Sequence, residues 1–135
     1  MAYETTPANF DRTTYIQEVL ASLSDDDLKA LEAWRRSVNR DSKFLGGRGH
    51  SLQQMNENAR AWDALSPDAR RAYHSVLCCI ENELEEAVQA VGPVAVERDI
   101  EAVEALLGPD HPAFRILPAH AIVVAYRDAV EQFCG

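Results

Sequence analysis

From Ser66 to Gly92 the chain carries a helix start, an unbroken apolar period and a helix stop. Ser66 offers a hydroxyl cap, Pro67 sits in the first turn where its missing N–H costs nothing, and Asp68 meets the positive end of the helix dipole. Tyr73, Leu77, Ile80, Leu84, Ala87, Val88 and Val91 then recur at helical spacing until Gly92-Pro93 stops them. This pattern predicts the longest helix of the chain. It sets the period against which every other segment is compared.

The remaining segments repeat it. A first helix is predicted over about 8–22, with Phe10, Ile16, Val19, Leu20 and Leu23 apolar, after a lead-in at 1–7. Ser24 with Asp25, Asp26 and Asp27 forms a capping box for a second helix, whose apolar face is Leu28, Leu31, Trp34 and Val38. Gly46, Gly47 and Gly49 interrupt the helical pattern. Ser51 restarts it over 52–64, with a thin apolar face of Leu52, Met55, Ala59 and Trp62. A fifth helix is predicted over 94–107 from Val96, Ile100, Val103, Leu106 and Leu107, ended by Gly108-Pro109. Residues 109–117 read as a turn, and Pro118 opens a last helix bearing Ile122, Val123, Tyr126, Val130 and Phe133. No strand period competes. The expectation is an all-α, single-domain bundle of five to six helices spanning 1–135.

At 135 residues the chain is long enough to bury a core without a metal or disulfide. Its apolar fraction of 47% and charged fraction of 26% are those of a globular protein. Cys78, Cys79 and Cys134 have no disulfide-framework spacing. The N-terminus lacks a signal-peptide pattern, and no apolar run is long enough for a membrane span. These features lead to the expectation of a cytoplasmic protein without cofactor or membrane association.

The net charge of −9 is unevenly distributed. Residues 1–28 carry −5, residues 29–75 carry +4 and residues 76–135 carry −8. A basic segment inside an acidic chain points to partners rather than to fold. Its candidate binding residues are Arg35, Arg36, Arg40, Arg48, Arg70 and Arg71, since the planar guanidinium pairs with carboxylate or phosphate. Glu81, Glu85, Glu86, Glu101 and Glu104 form the candidate acidic face. No nucleophile–base–orienter set is present, and Ser24, Ser51 and Ser66 already serve as helix caps. The leading expectation is therefore a non-enzymatic binding or regulatory protein that docks on a partner protein. Small acidic inhibitors of phage or mobile-element type offer the analogy. A second copy of the chain is a further candidate partner.

Two family resemblances give alternatives. Trp62, Leu65, Ser66, Pro67, Arg70 and Tyr73 resemble the junction between the second and third helices of an HMG box, with the aromatic eleven residues after the Trp. The resemblance covers about residues 29–90 and implies DNA bending through the minor groove. Gln54 and Asn58 stand where that family has apolar residues, and Glu81, Glu83, Glu85 and Glu86 stand where it is Lys-rich. Nucleic acid is accordingly the secondary partner expectation. The Arg115 to His120 spacing is similar to that of HEPN-type ribonucleases, which implies His acid–base chemistry beside a scissile phosphate. Ile116 and Pro118 depart from that pattern. His74 and Cys78 lie four apart on one helix face, which is half of a soft-metal site, but no further ligands are specified. A buried cysteine beside a surface histidine is the expectation there.

Overall fold

The hydroxyl of Ser66 accepts the Ala69 N–H at 3.0 Å, which starts the helix α4 (Pro67–Val91). Gly92, at φ 76°, ends it in a conformation that suits glycine. The structure is a computed structural model that describes residues 11–40, 51–93 and 98–134. The other α-helices are α1 (Arg12–Ala21), α2 (Asp25–Arg40), α3 (Leu52–Asp63), α5 (Asp99–Leu107) and α6 (Ala119–Cys134). A 3-10 turn, Pro112–Arg115, lies between α5 and α6. The fold is an all-α bundle, with no strand among the described residues. None of the described helices is long and apolar enough to cross a membrane.

α4 is the axis of the bundle. It buries Ala69, Ala72, Tyr73, Val76, Cys79, Ile80, Leu84 and Val88 along one stripe. α6 is its main neighbour and contributes Ile122, Ala125, Tyr126 and Ala129 to the same core. α1 adds Ile16 and Leu20, and the 3-10 turn with the residues after it adds Ala113, Ile116 and Leu117. Ile100 of α5 forms a smaller cluster with Ala119 and Val123 of α6.

Two helices begin later than their patterns suggest. Asp11 has an extended backbone, and its carboxylate accepts the Thr13 N–H at 3.0 Å and the Thr14 hydroxyl at 2.6 Å, so α1 starts at Arg12. The predicted residues 8–10 lie outside the described residues. Arg98 is also extended, and α5 starts at Asp99, with Asp99 and Glu101 in its acidic first turn. The apolar Val94 and Val96, read as part of this helix, lie outside the described residues.

α2 and α3 form an antiparallel hairpin, with Trp34 against Trp62 and Ser37 against Asn58. α3 packs chiefly on α2. The hairpin meets α4 at an aromatic trio. The Trp34 and Trp62 rings lie 4.9 Å apart, and each is 5.1 Å from Tyr73 in edge-to-face contact. Such pairs add about 0.5–1.5 kcal/mol each beyond their buried area.

The covered face of α3 is shifted away from most of its apolar pattern. Leu52 is 75% exposed, Met55 54% exposed, and Ala59 exposed as well. Gln54, only 7% exposed, points inward instead. Its Nε2 donates to the Ser37 hydroxyl and to Asn58 Oδ1, both at 3.0 Å, and to the Ser37 carbonyl at 3.3 Å. Of that stripe only Trp62 packs inward, at the end of α3 where the hairpin meets α4, while Leu52 and Met55 at its start face water. The polar residues left inside are satisfied by hydrogen bonds to one another and to α2.

Gln54→Ala should therefore cost about 1–3 kcal/mol in urea unfolding, whereas Leu52→Ser should stay within about 0.5 kcal/mol. The opposite order would show that α3 buries its apolar stripe. Asp11 supplies a pH test. The Thr14 hydroxyl and then the Thr14 N–H hold its carboxyl below the usual 3.8, burial opposes them, and the Thr13 N–H adds the smallest contribution. A lowered folded pKa means that its stabilisation is present above the ordinary value and lost as pH falls through the lowered one. Asp11→Ala should thus destabilise the protein at about pH 7 and become neutral towards about pH 2.

Candidate docking arm and ligand cleft

The described cationic side chains divide into two groups by their place in the fold. Outside the α2–α3 hairpin, five arginines meet one of the chain's own carboxylates. Arg12 pairs with Glu86 through two 2.8 Å hydrogen bonds, Arg71 with Asp68 at 2.9 Å and Arg98 with Glu101 at 2.8 Å. Arg115 reaches Glu32 at 3.0 Å, and Arg127 reaches Asp99 at 2.5 Å. Arg70 donates to the Asp63 carbonyl at 2.6 Å and so covers the C-terminal end of α3. On the hairpin the pattern reverses. Lys29, Arg36, Arg40 and Arg60 are exposed and make no ion pair with any described residue.

The candidate residues therefore scatter over different roles. Arg36 and Arg40 stay open on α2. Arg70 and Arg71 are engaged locally at the start of α4, and Arg48 lies outside the described residues. On the acidic side Glu86 and Glu101 are paired with arginines. Glu81 is exposed and Glu85 half-buried on α4, while Glu104 is exposed on α5.

Arg35 and Glu104, drawn from the two opposite sets, line one cleft. It has a volume of about 190 Å³ and lies where α2, α5 and α6 meet. Ile100, Pro109, Phe114, Leu117 and Ile122 give it apolar walls. Asn39 lines it too, and its Oδ1 accepts the Ala119 N–H at 2.8 Å, so α2 caps the first residue of α6. Arg35 is half-buried, and its Nε is buried without a hydrogen-bond partner among the described residues. Burial, then the neighbouring Arg36, lowers its pKa, with Glu32 acting the other way.

A second polar cluster lies between α4 and the 3-10 turn, and sequence reasoning missed it. His111, with a side chain 4% exposed, accepts the Ala113 N–H on Nδ1 at 3.1 Å. Nε2 therefore carries the ring proton and donates to Glu83 at 3.0 Å. This geometry ties the turn to α4. Arg12 and Cys79 are neighbours of Glu83. Burial pushes the Cys79 thiol up, away from the thiolate that a nucleophile needs.

Other candidates separate or stay single. Arg115 closes the 3-10 turn while His120 is on α6, and the Arg115 guanidinium is held by Glu32. His74 and Cys78 are both exposed, and the His74 ring packs 5.9 Å from Trp62. Among the described residues no group of three or more His, Cys, Asp or Glu could hold a metal.

If Arg35 is retained for binding rather than stability, Arg35→Met should leave the urea midpoint unchanged or raise it, because a desolvated guanidinium N–H is removed. Arg12→Met, which breaks a bidentate pair, should lower stability by about 1 kcal/mol. A large loss for Arg35→Met would assign that side chain to the core.

Comparison of the chain with family models, with curated proteins and with solved structures returns no match, so the reading of this arm and cleft rests on the residues themselves.

Proposed function

We propose that this chain is a non-enzymatic binding protein that regulates a partner protein by docking on it through the α2–α3 arm. The observation that carries this reading is the sorting of the cations. With 22 Asp and Glu in the chain, Lys29, Arg36, Arg40 and Arg60 still have no acidic partner among the described residues. Exposed cations without an internal acidic partner suit an acidic partner surface and speed encounter with it. Leu52 and Met55 on the same hairpin supply the apolar contact that charges alone lack. Glu81 and Glu85 add acidic groups on α4.

DNA binding by the same arm is the second reading. An outward Leu52 on the same hairpin as arginines with no acidic partner among the described residues has the chemistry of a minor-groove wedge. The acidic α4 repels phosphate and favours the protein partner.

A photoreactive residue at position 55 of the full chain, expressed in its own host, separates the two. The expected result is an adduct with one distinct acidic protein, lost when Arg36, Arg40 and Arg60 are all changed to Glu. An adduct that survives the reversal, or an adduct only with nucleic acid or with a second copy of the chain, would overturn the proposal. A DNA gel shift at about 50 mM salt, weakening steeply as salt rises, would establish the second reading instead.

A further inference from the structure

We infer that the face of the α2–α3 hairpin turned away from α4 is a docking surface for an acidic α-helix of the partner protein, whose carboxylates are set at helical spacing against Lys29, Arg36 and Arg40. The inference rests on docking through the arm and names the element that the arm receives. α2 buries Leu31. Lys29, Ala33, Arg36 and Arg40 lie on the opposite side of that helix and are exposed. At about 1.5 Å per residue they form a straight row, with about 10 Å between Lys29 and Arg36 and about 6 Å between Arg36 and Arg40. α3 turns Gln54 to α2 and Trp62 to Tyr73 of α4. Arg60, two residues before Trp62, is therefore on the side of α3 away from α4, and it is exposed. The four cations without an acidic partner among the described residues thus share one face of the hairpin.

The chemistry of this face selects its occupant. A helix satisfies its own backbone hydrogen bonds, whereas an extended segment needs a sheet edge, and no strand is present among the described residues. Ala33, the uncharged member of the row, leaves room for a second helix at about 8–10 Å between axes. Steps of seven and four residues on α2 are met by carboxylates at the same steps on a facing helix, and each guanidinium takes a carboxylate bidentately. The face is not uniformly positive. Asp25 and Asp26 are exposed at the start of α2, and Glu57 is half-buried on α3, where it accepts from Gln53 at 3.4 Å. A polyanion with evenly spaced phosphates would meet these carboxylates as well as the cations. A helix places its acids over Arg36 and Arg40 and keeps them off the Asp25 end, so the match is made position by position.

The fold itself keeps the row open. Glu32, four residues before Arg36 and so within its helical reach, is held by Arg115 of the 3-10 turn at 3.0 Å. Exposed ion pairs are individually weak, so recognition depends on several of them in register.

Photoreactive residues placed singly at positions 33 and 55 of the full-length chain, expressed in its own host, test the surface. The adduct from position 33 should map to a helical segment of the partner that carries Asp or Glu at steps of four and seven residues. A synthetic peptide of that segment should bind the purified protein, and Arg36→Glu and Arg40→Glu should each weaken it by at least about tenfold. Changing the facing carboxylate of the peptide to Arg should restore binding to the Arg36→Glu protein, which a misfolded variant could not do. Arg127→Gln, which removes a cation on α6, should leave binding unchanged. An adduct from position 55 with none from position 33 would overturn this inference and leave docking through the arm standing. Absence of both adducts would remove the arm reading as well. A captured segment that is extended or lacks the acidic steps, an adduct with nucleic acid, or failure of the charge exchange would also overturn it.

Discussion

The bundle depends on the burial of one stripe of α4 against α6. Val76, Ile80, Leu84 and Val88 are almost wholly removed from water there, opposite Ile122, Tyr126 and Ala129. Each fully buried aliphatic side chain is worth about 1.5–3 kcal/mol, so this contact is the main source of cohesion. The other elements are placed by reference to it. α1 lies on α4 and is tied there by Arg12 and Glu86, and the 3-10 turn is tied by His111 and Glu83. The hairpin of α2 and α3 is attached through three aromatic rings, two of which are half-buried.

That arrangement leaves the hairpin as the part of the molecule with unspent interactions. Its inner face is closed by Trp62, Leu65 and the Gln54–Ser37–Asn58 hydrogen bonds. Its outer face keeps Leu52, Met55 and four cations in contact with water. Elsewhere the described arginines that form ion pairs are neutralised by the chain's own carboxylates. Exposed pairs of this kind contribute little stability, about 0–1 kcal/mol each. Their effect is on the surface, since they occupy the body's arginines and leave its surplus carboxylates exposed.

Much of the fold was legible because helix signals are local. Ser24, Ser51 and Ser66 accept the N–H groups that their positions imply, and Gly92 and Gly108 end helices at positive φ. The Trp62-to-Tyr73 motif is a corner where both aromatics pack. What failed was also physical. Leu52, Met55 and Ala59 have helical spacing, but spacing cannot say which of two neighbouring stripes is covered. Here Gln54 and Asn58 are covered by α2 through hydrogen bonds, and of the apolar stripe only Trp62 packs inward. The site was less legible still. Arg35 appeared only as one of several arginines, and Glu104 only as one of several glutamates. Neither the cleft that brings them together nor the His111–Glu83 bond has a local signature, because their partners lie 28 or more residues away.

By itself the sequence determined the helical class, the caps and stops, and the acidic–basic–acidic order of charge, since each follows from neighbours within a turn or two of the chain. Only the tertiary structure decided which arginines are neutralised, which face of α3 meets water, and that Asn39 of α2 caps α6 beside the unpartnered Arg35. Those outcomes are set by competition for a limited amount of buried surface and by distances across the bundle, and neither is written in local spacing.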